Sequence, residues 1–246
     1  MGAEVALLEP AGRWPADVEI WSIKMSFAIP HGLASEHLDA SERARAGRYY
    51  QAQDRIRFST TRSMLRELLG QRLNRAPADL HFVIGEYGRP ELSDSEGVSF
   101  NVSHSGDHAL VAISTNRTVG IDIERMNNNI DWRDLIEMVC IDHERRTILM
   151  EPARLQYRSF YRCWTAKEAI LKALGLGITE GLRSVAVHPS GEGIQQAVMG
   201  AVPATADARA LRFHWMSDFA DYMGCIAFGP ARLCLAEPAI SGDDYA

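Results

Sequence analysis

The chain has 246 residues, 46% of them hydrophobic, which is enough for one large domain or two small ones around a sizeable core. A net charge of −6 argues against a general nucleic-acid binder, and no apolar run reaches the roughly 18 residues that span a bilayer. The acidic start (Glu4, Glu9, Asp17, Glu19) lacks the basic-then-apolar order of a secretory leader, and Cys140, Cys163, Cys225 and Cys234 form no C-x-x-C pair, so the expectation is a cytoplasmic protein with reduced thiols.

In chain order, a strand is expected around Val18–Ile23. Helices follow at Ser35–Tyr50 and Gln53–Leu69, the second ending at Gly70. Nine arginines lie between Arg43 and Arg75 against two acids, Asp54 and Glu67. They form either a solvated face or a sink for a polyanion or an acidic partner. A short strand Leu80–Ile84 leads into the turn Glu86–Pro90, and three more strands are expected at Val98–Val102, Ala109–Ser114 and Val119–Ile123. Helices follow at Asp131–Cys140, Asp142–Met150 and Ala153–Leu174, the last capped by Gly175. Ser184–His188, Ala210–Trp215 and Tyr222–Phe228 read as antiparallel strands of a second sheet, with a loose polar tail from Ala236. This order predicts an α+β fold of two comparable halves, residues 1–117 and 118–246, with the seam at Asn116–Thr118.

Three constellations could carry chemistry. In Gly120-Ile-Asp-Ile-Glu124, strand alternation places Asp122 and Glu124 on one face and Ile121 and Ile123 on the other. A hard divalent cation would offset the repulsion between the two carboxylates; an acidic solvent-facing edge is the plain alternative. In Phe160–Lys172, the stripe Phe160, Trp164, Leu171, Leu174 packs the helix onto a sheet. Glu168 and Lys172 share an adjacent face, either as a surface ion pair contributing about 0.3–0.5 kcal/mol or as a metal ligand beside an anion-binding lysine. In Phe100–Asp107, His104 sits among small polar residues at a strand end, as a contact residue or an idle turn histidine. Adjacent Ser103, His104 and Ser105 do not make a hydrolase triad, and no phosphate loop, dinucleotide fingerprint or zinc spacing is present.

Taken in order and spacing, Phe100–Gly106, Gly120–Glu124 and Trp164–Lys172 resemble the three motifs of 4'-phosphopantetheinyl transferases, and the similarity extends over about residues 40–190. The length resembles the long, surfactin-synthetase-activating type, a pseudo-dimer of two similar α/β halves with the active site between them. The resemblance implies an enzyme that moves the phosphopantetheine arm of coenzyme A onto a serine of an acidic acyl or peptidyl carrier protein, releasing 3',5'-ADP. It also implies a monomer without nucleic-acid or membrane partners. Asp122, Glu124 and Glu168 match magnesium ligands, with manganese as an alternative ion. Lys172 matches the lysine near the pyrophosphate, and Glu168 is the expected proton acceptor from the serine. Arg45, Arg57, Arg89, Ser103 and His104 match positions facing coenzyme A. Lys167 is placed with them, or is a plain surface lysine. Glu42 and Phe58 depart from the pattern, standing where relatives can carry a phosphate-binding lysine and a hydroxyl. A metal-dependent nuclease and a non-enzymatic carrier-binding module are the rival readings.

Overall fold

The structure, a computed structural model, describes residues 3–28, 36–94, 97–126, 131–177, 181–199 and 210–232. The expected helix start at Ser35, the tail from Ala236 and Cys234 lie outside these residues. Among the described residues, no helix is long and apolar enough to cross a membrane.

The first half holds an antiparallel sheet in the order β1 (Ala3–Leu7), β2 (Glu19–Met25), β6 (His108–Ser114), β5 (Ser99–Ser105). It also holds helices α1 (Ala40–Gly47) and α2 (Ala52–Leu73) and a hairpin of β3 (Phe82–Ile84) and β4 (Pro90–Leu92). Helix α2 does not stop at Gly70. It runs on to Leu73 and is closed by Asn74 in the left-handed region. Gly70 is required by the chain returning over it, since a Cβ there would lie 2.7 Å from the Arg75 carbonyl oxygen.

The second half repeats the plan. An antiparallel sheet in the order β7 (Val119–Arg125), β12 (Tyr222–Phe228), β11 (Arg212–Met216), β9 (Gln195–Gln196) packs on α5 (Ala153–Leu174), with α3 (Trp132–Val139) and α4 (Asp142–Met150) before it. Within Ser184–His188 only Val185–Ala186 is strand (β8). It pairs with β10 (Val198–Met199) in a separate two-stranded ribbon and so does not join the second sheet as expected.

Strand alternation gives each main sheet two apolar faces. Ala109, Val111 and Ile113 of β6 pack with Leu65, Leu68 and Leu69 of α2. Met223, Cys225 and Ala227 of β12 pack with Phe160, Ile170 and Leu171 of α5. The opposite faces meet each other: Leu110 and Ala112 of β6 lie against Ile121 and Ile123 of β7 and Ile226 and Phe228 of β12. The halves are therefore joined by a sheet-on-sheet core with a helix on each outer side. Burial of the two isoleucines on the inner face turns Asp122 and Glu124 toward α5.

Candidate functional site

Asp122 and Glu124 on β7 and Glu168 on α5 converge, each offering an oxygen within 4.8 Å of the others. The strand and helix can approach this closely because position 120 has no side chain. A Cβ on Gly120 would lie 2.1 Å from the Ala169 carbonyl oxygen and 2.3 Å from the Ala173 nitrogen. Lys172 enters the cluster one turn after Glu168, with Nζ 2.5 Å from Asp122 Oδ1 and 3.3 Å from Glu168 Oε2. The Trp164 indole donates to Glu168 Oε1 at 2.5 Å. Trp164 is thus only half core, and its polar edge holds the carboxylate one turn below it.

Three carboxylates face one ammonium, and two of them, Asp122 and Glu124, are shifted. Burial, reinforced by Glu168 and Glu124 and opposed by Lys172, pushes the Asp122 carboxyl up to about 8. Burial and Glu168 also raise Glu124, against the hydrogen bond from Ser105. Burial pulls the Lys172 ammonium down, but Asp122 and Glu168 outweigh it and hold the group above its ordinary value. Asp122 Oδ2 is buried with no hydrogen-bond partner. Such an orphan oxygen is costly, and an unbalanced carboxylate set around it suits a hard, oxygen-seeking divalent cation. The residues present therefore fit one.

Beside the cluster lies a cavity of about 320 Å³, lined by Arg45, Arg62, Phe58, His104 and the carboxylates themselves. Arg45 is exposed on α1 with its guanidinium 5.2 Å over the Phe58 ring. Phe58 therefore supplies an aromatic platform at a position where a hydroxyl was expected to be missed. Arg57 donates to the Gly106 carbonyl at 2.8 Å and pairs with Asp54. His104 has an accessible side chain in a concave wall. Desolvation there, and then the positive Arg57 and Lys172, pull its pKa below the ordinary imidazole value, so the ring is neutral at neutral pH.

The basic helices divide into two kinds of arginine. Arg66 is buried and donates to Glu42, Asp39 and the carbonyls of Pro77 and Leu80. Glu42, the departure from the expected lysine, closes a capping box with Asp39 and faces Arg62 at 3.5 Å. It is a buried counter-ion that fixes α1 against α2. Arg43, Arg45 and Arg48 remain exposed.

Two expected coenzyme contacts fall differently. Lys167 is fully buried and pairs with Glu144 Oε2 at 2.6 Å, also donating to the Val139 carbonyl at 2.8 Å. It cannot reach a ligand in the cavity beside the carboxylates. Five residues of helix turn it about 140° away from Lys172, and so into the core beside α3 and α4. Arg89 lies at the site but spends Nη1 on the Lys172 carbonyl (2.5 Å) and Nη2 on the Phe100 carbonyl (2.9 Å), tying the hairpin turn to both halves. Its Nε is buried without a partner. Beyond it a larger cavity of about 910 Å³ runs between the turn Gly85–Glu91 and Gly175, Leu176, Gly177, Gly181 and Ser184, with Lys172 in its lining.

Sequence reasoning missed the working role of β5. Ser103 donates to Asp122 Oδ1 at 2.8 Å and receives Lys172 Nζ at 3.2 Å, while Ser105 donates to Glu124 Oε2 at 2.8 Å. The available signal was small polar residues at 99, 101, 103 and 105, alternating with Phe100 and Val102.

Comparison with known proteins adds a separate line. A family model described as the 4'-phosphopantetheinyl transferase superfamily matches residues 118–223, and one described as a 4'-phosphopantetheinyl transferase N-terminal region matches 29–116. A Synechocystis sp. protein carrying a provisional 4'-phosphopantetheinyl transferase name is 39% identical over 150 residues, covering 60% of this chain and 61% of that protein. The 4'-phosphopantetheinyl transferase HetI of Nostoc sp. is 36% identical over 146 residues, 58% of this chain and 62% of the relative. A phosphopantetheinyl transferase of Thraustochytrium sp. is 30% identical over 186 residues, 69% and 65%. The chain thus spans less than two thirds of each of these relatives.

Proposed function

Because the chain belongs to the 4'-phosphopantetheinyl transferase superfamily, we propose that it transfers the 4'-phosphopantetheine arm of coenzyme A to a serine of an apo-acyl or peptidyl carrier protein. The observation that carries this reading is the carboxylate triad around Lys172, with the orphan Asp122 Oδ2, at the foot of a cavity lined by arginines. Asp122, Glu124 and Glu168 would hold magnesium, or manganese in its place. When bound, the ion supplies charge neutralisation to the diphosphate and to the departing phosphate oxygen.

The chain's own residues account for the rest. Arg45, Arg57 and His104 offer donors to the phosphates of coenzyme A, and the neutral His104 would gain a proton beside a dianion. Arg89 lines the larger cavity and is held there by the Lys172 and Phe100 carbonyls. Ser103 lies within reach of Lys172, at the point where the diphosphate would sit. The carrier serine attacks the β-phosphorus and the bond to the bridging oxygen breaks, releasing 3',5'-ADP. Lys172 stabilises the charge that grows on the leaving group. Glu168 accepts the serine proton, since a hydroxyl is a weak nucleophile at neutral pH. The larger cavity, which opens past Arg89 and includes Lys172 in its lining, has room for the pantetheine arm. Exposed Arg43, Arg45 and Arg48 would steer an acidic carrier.

Two similar halves in one chain support the long, monomeric type, divided at 1–117 and 118–246. Free Cys140, Cys163 and Cys225 support a reducing, cytoplasmic setting. The test is incubation with coenzyme A, magnesium and a panel of apo-carriers, read by intact mass. A gain of the phosphopantetheine moiety, abolished by chelation, is expected. No gain on any carrier, together with magnesium-dependent nicking of plasmid DNA, would replace this reading with a nuclease.

A further inference from the structure

The edge of β5 that meets β7 carries four small polar side chains in alternation. Ser99, Asn101, Ser103 and Ser105 accept the backbone N–H groups of Val119, Ile121, Ile123 and Arg125 at 3.1, 2.9, 3.3 and 3.0 Å. The two halves of the molecule are thereby joined by side chain to backbone, where a sheet would use backbone to backbone. A serine hydroxyl has a single proton. With N–H groups pointing into Ser103 and Ser105, that proton is directed outward, and at both positions it meets a carboxylate: Asp122 Oδ1 and Glu124 Oε2, each at 2.8 Å. Among the described residues, Ser99 has no such carboxylate and makes only the strand-to-strand half of the arrangement.

We propose that Ser105, with Ser103 beside it, is a positioning residue that presets the ion seat. Each serine holds one oxygen of its carboxylate through a hydroxyl whose oxygen is itself anchored by a β7 N–H. The other oxygen is left for the ion. Asp122 shows the result, with Oδ1 engaged and Oδ2 buried and unpartnered. Partners of ligating groups that fix their orientation contribute strongly to metal affinity. Ser105 is the cleaner case, because Ser103 also receives Lys172. The inference rests on the metal reading of the triad.

The test is binding of Mn²⁺ alone, by electron paramagnetic resonance titration without coenzyme A or carrier. Wild type binds. Ser105→Ala binds about 10- to 100-fold more weakly, and Ser105→Thr, which keeps the hydroxyl, restores affinity. Ser99→Ala removes the strand-to-strand bond alone and keeps wild-type affinity even where its melting temperature falls. Should Ser105→Ala not fold, Ser105→Cys, of similar size with a weaker donor, gives the same comparison. Equal affinity in Ser105→Ala and wild type, or an equal loss in Ser99→Ala, would overturn the positioning role. Failure of wild type itself to bind Mn²⁺ would remove the metal reading first and the positioning role with it.

Discussion

Helix α5 carries two lysine–glutamate clusters on opposite faces, and they are built on opposite rules. Lys167 meets Glu144 in a closed chamber where both side chains are 0% exposed. One charge answers one charge, and Glu144 also accepts the N–H groups of Ile141 and Val187 at 2.8 Å each. Cys140 and Cys163 fill the remaining space with sulfurs 3.5 Å apart, and burial and the neighbouring thiol push the Cys163 thiol far up, leaving it inert. Across the helix, Lys172 faces three carboxylates, an oxygen has no partner, and the space opens into two cavities. Balanced, saturated charge is architecture. Charge left unbalanced beside an opening is a place prepared for something else.

The comparison can be broken most severely at Lys167. Lys167→Met leaves Glu144 buried without its partner and is expected to cost about 3–5 kcal/mol, measured by denaturant unfolding, with the KM for coenzyme A unchanged in the folded fraction. A change in that KM would mean that the two faces are not independent. On the open face, Glu168→Gln should leave the melting temperature near wild type and lower turnover about 100- to 1,000-fold, assayed with saturating carrier and coenzyme A. Near-normal turnover would remove Glu168 from both of its proposed roles.

The smallest effect concerns the clamp between the halves near the site. Tyr222 donates to Asp107 Oδ1 at 2.5 Å, and His108 Nδ1 lies 2.9 Å from the same oxygen. Burial opposes these contacts, but Tyr222 and His108 hold the Asp107 carboxyl below its ordinary value. A depressed carboxyl contributes stability that is present above its unfolded value, near pH 3.9, and is lost as the pH falls through the lower folded value. Wild type should therefore exceed Asp107→Asn in thermal stability at pH 7, and the gap should close below about pH 3.9. A gap independent of pH would assign the effect to packing.

Much of this was legible in the sequence. Helix α5 has its observed bounds, Ala153–Leu174, because Pro152 precedes it and Gly175, at φ 68°, closes it. Strand alternation placed Asp122 and Glu124 together, and helical spacing placed Glu168 beside Lys172. What a face meets was not legible. Glu144 is 23 residues from Lys167, and only the packing of α4 on α5 brings the two together. The arginine-rich stretch could not be sorted into buried Arg66 and exposed Arg45 by charge alone. The ribbon of β8 and β10 has two residues per strand, too few to carry a period.

The bare Cα at position 120 has a lasting consequence. With the Ala169 carbonyl 2.1 Å from where a methyl carbon would sit, main chain rests against main chain, and the gauge of the carboxylate cluster is set by polypeptide, not by any rotatable group. Side chains around it can vary in reach and angle. The separation of strand from helix cannot drift with them, so even alanine at 120 would wedge the third carboxylate away from the other two.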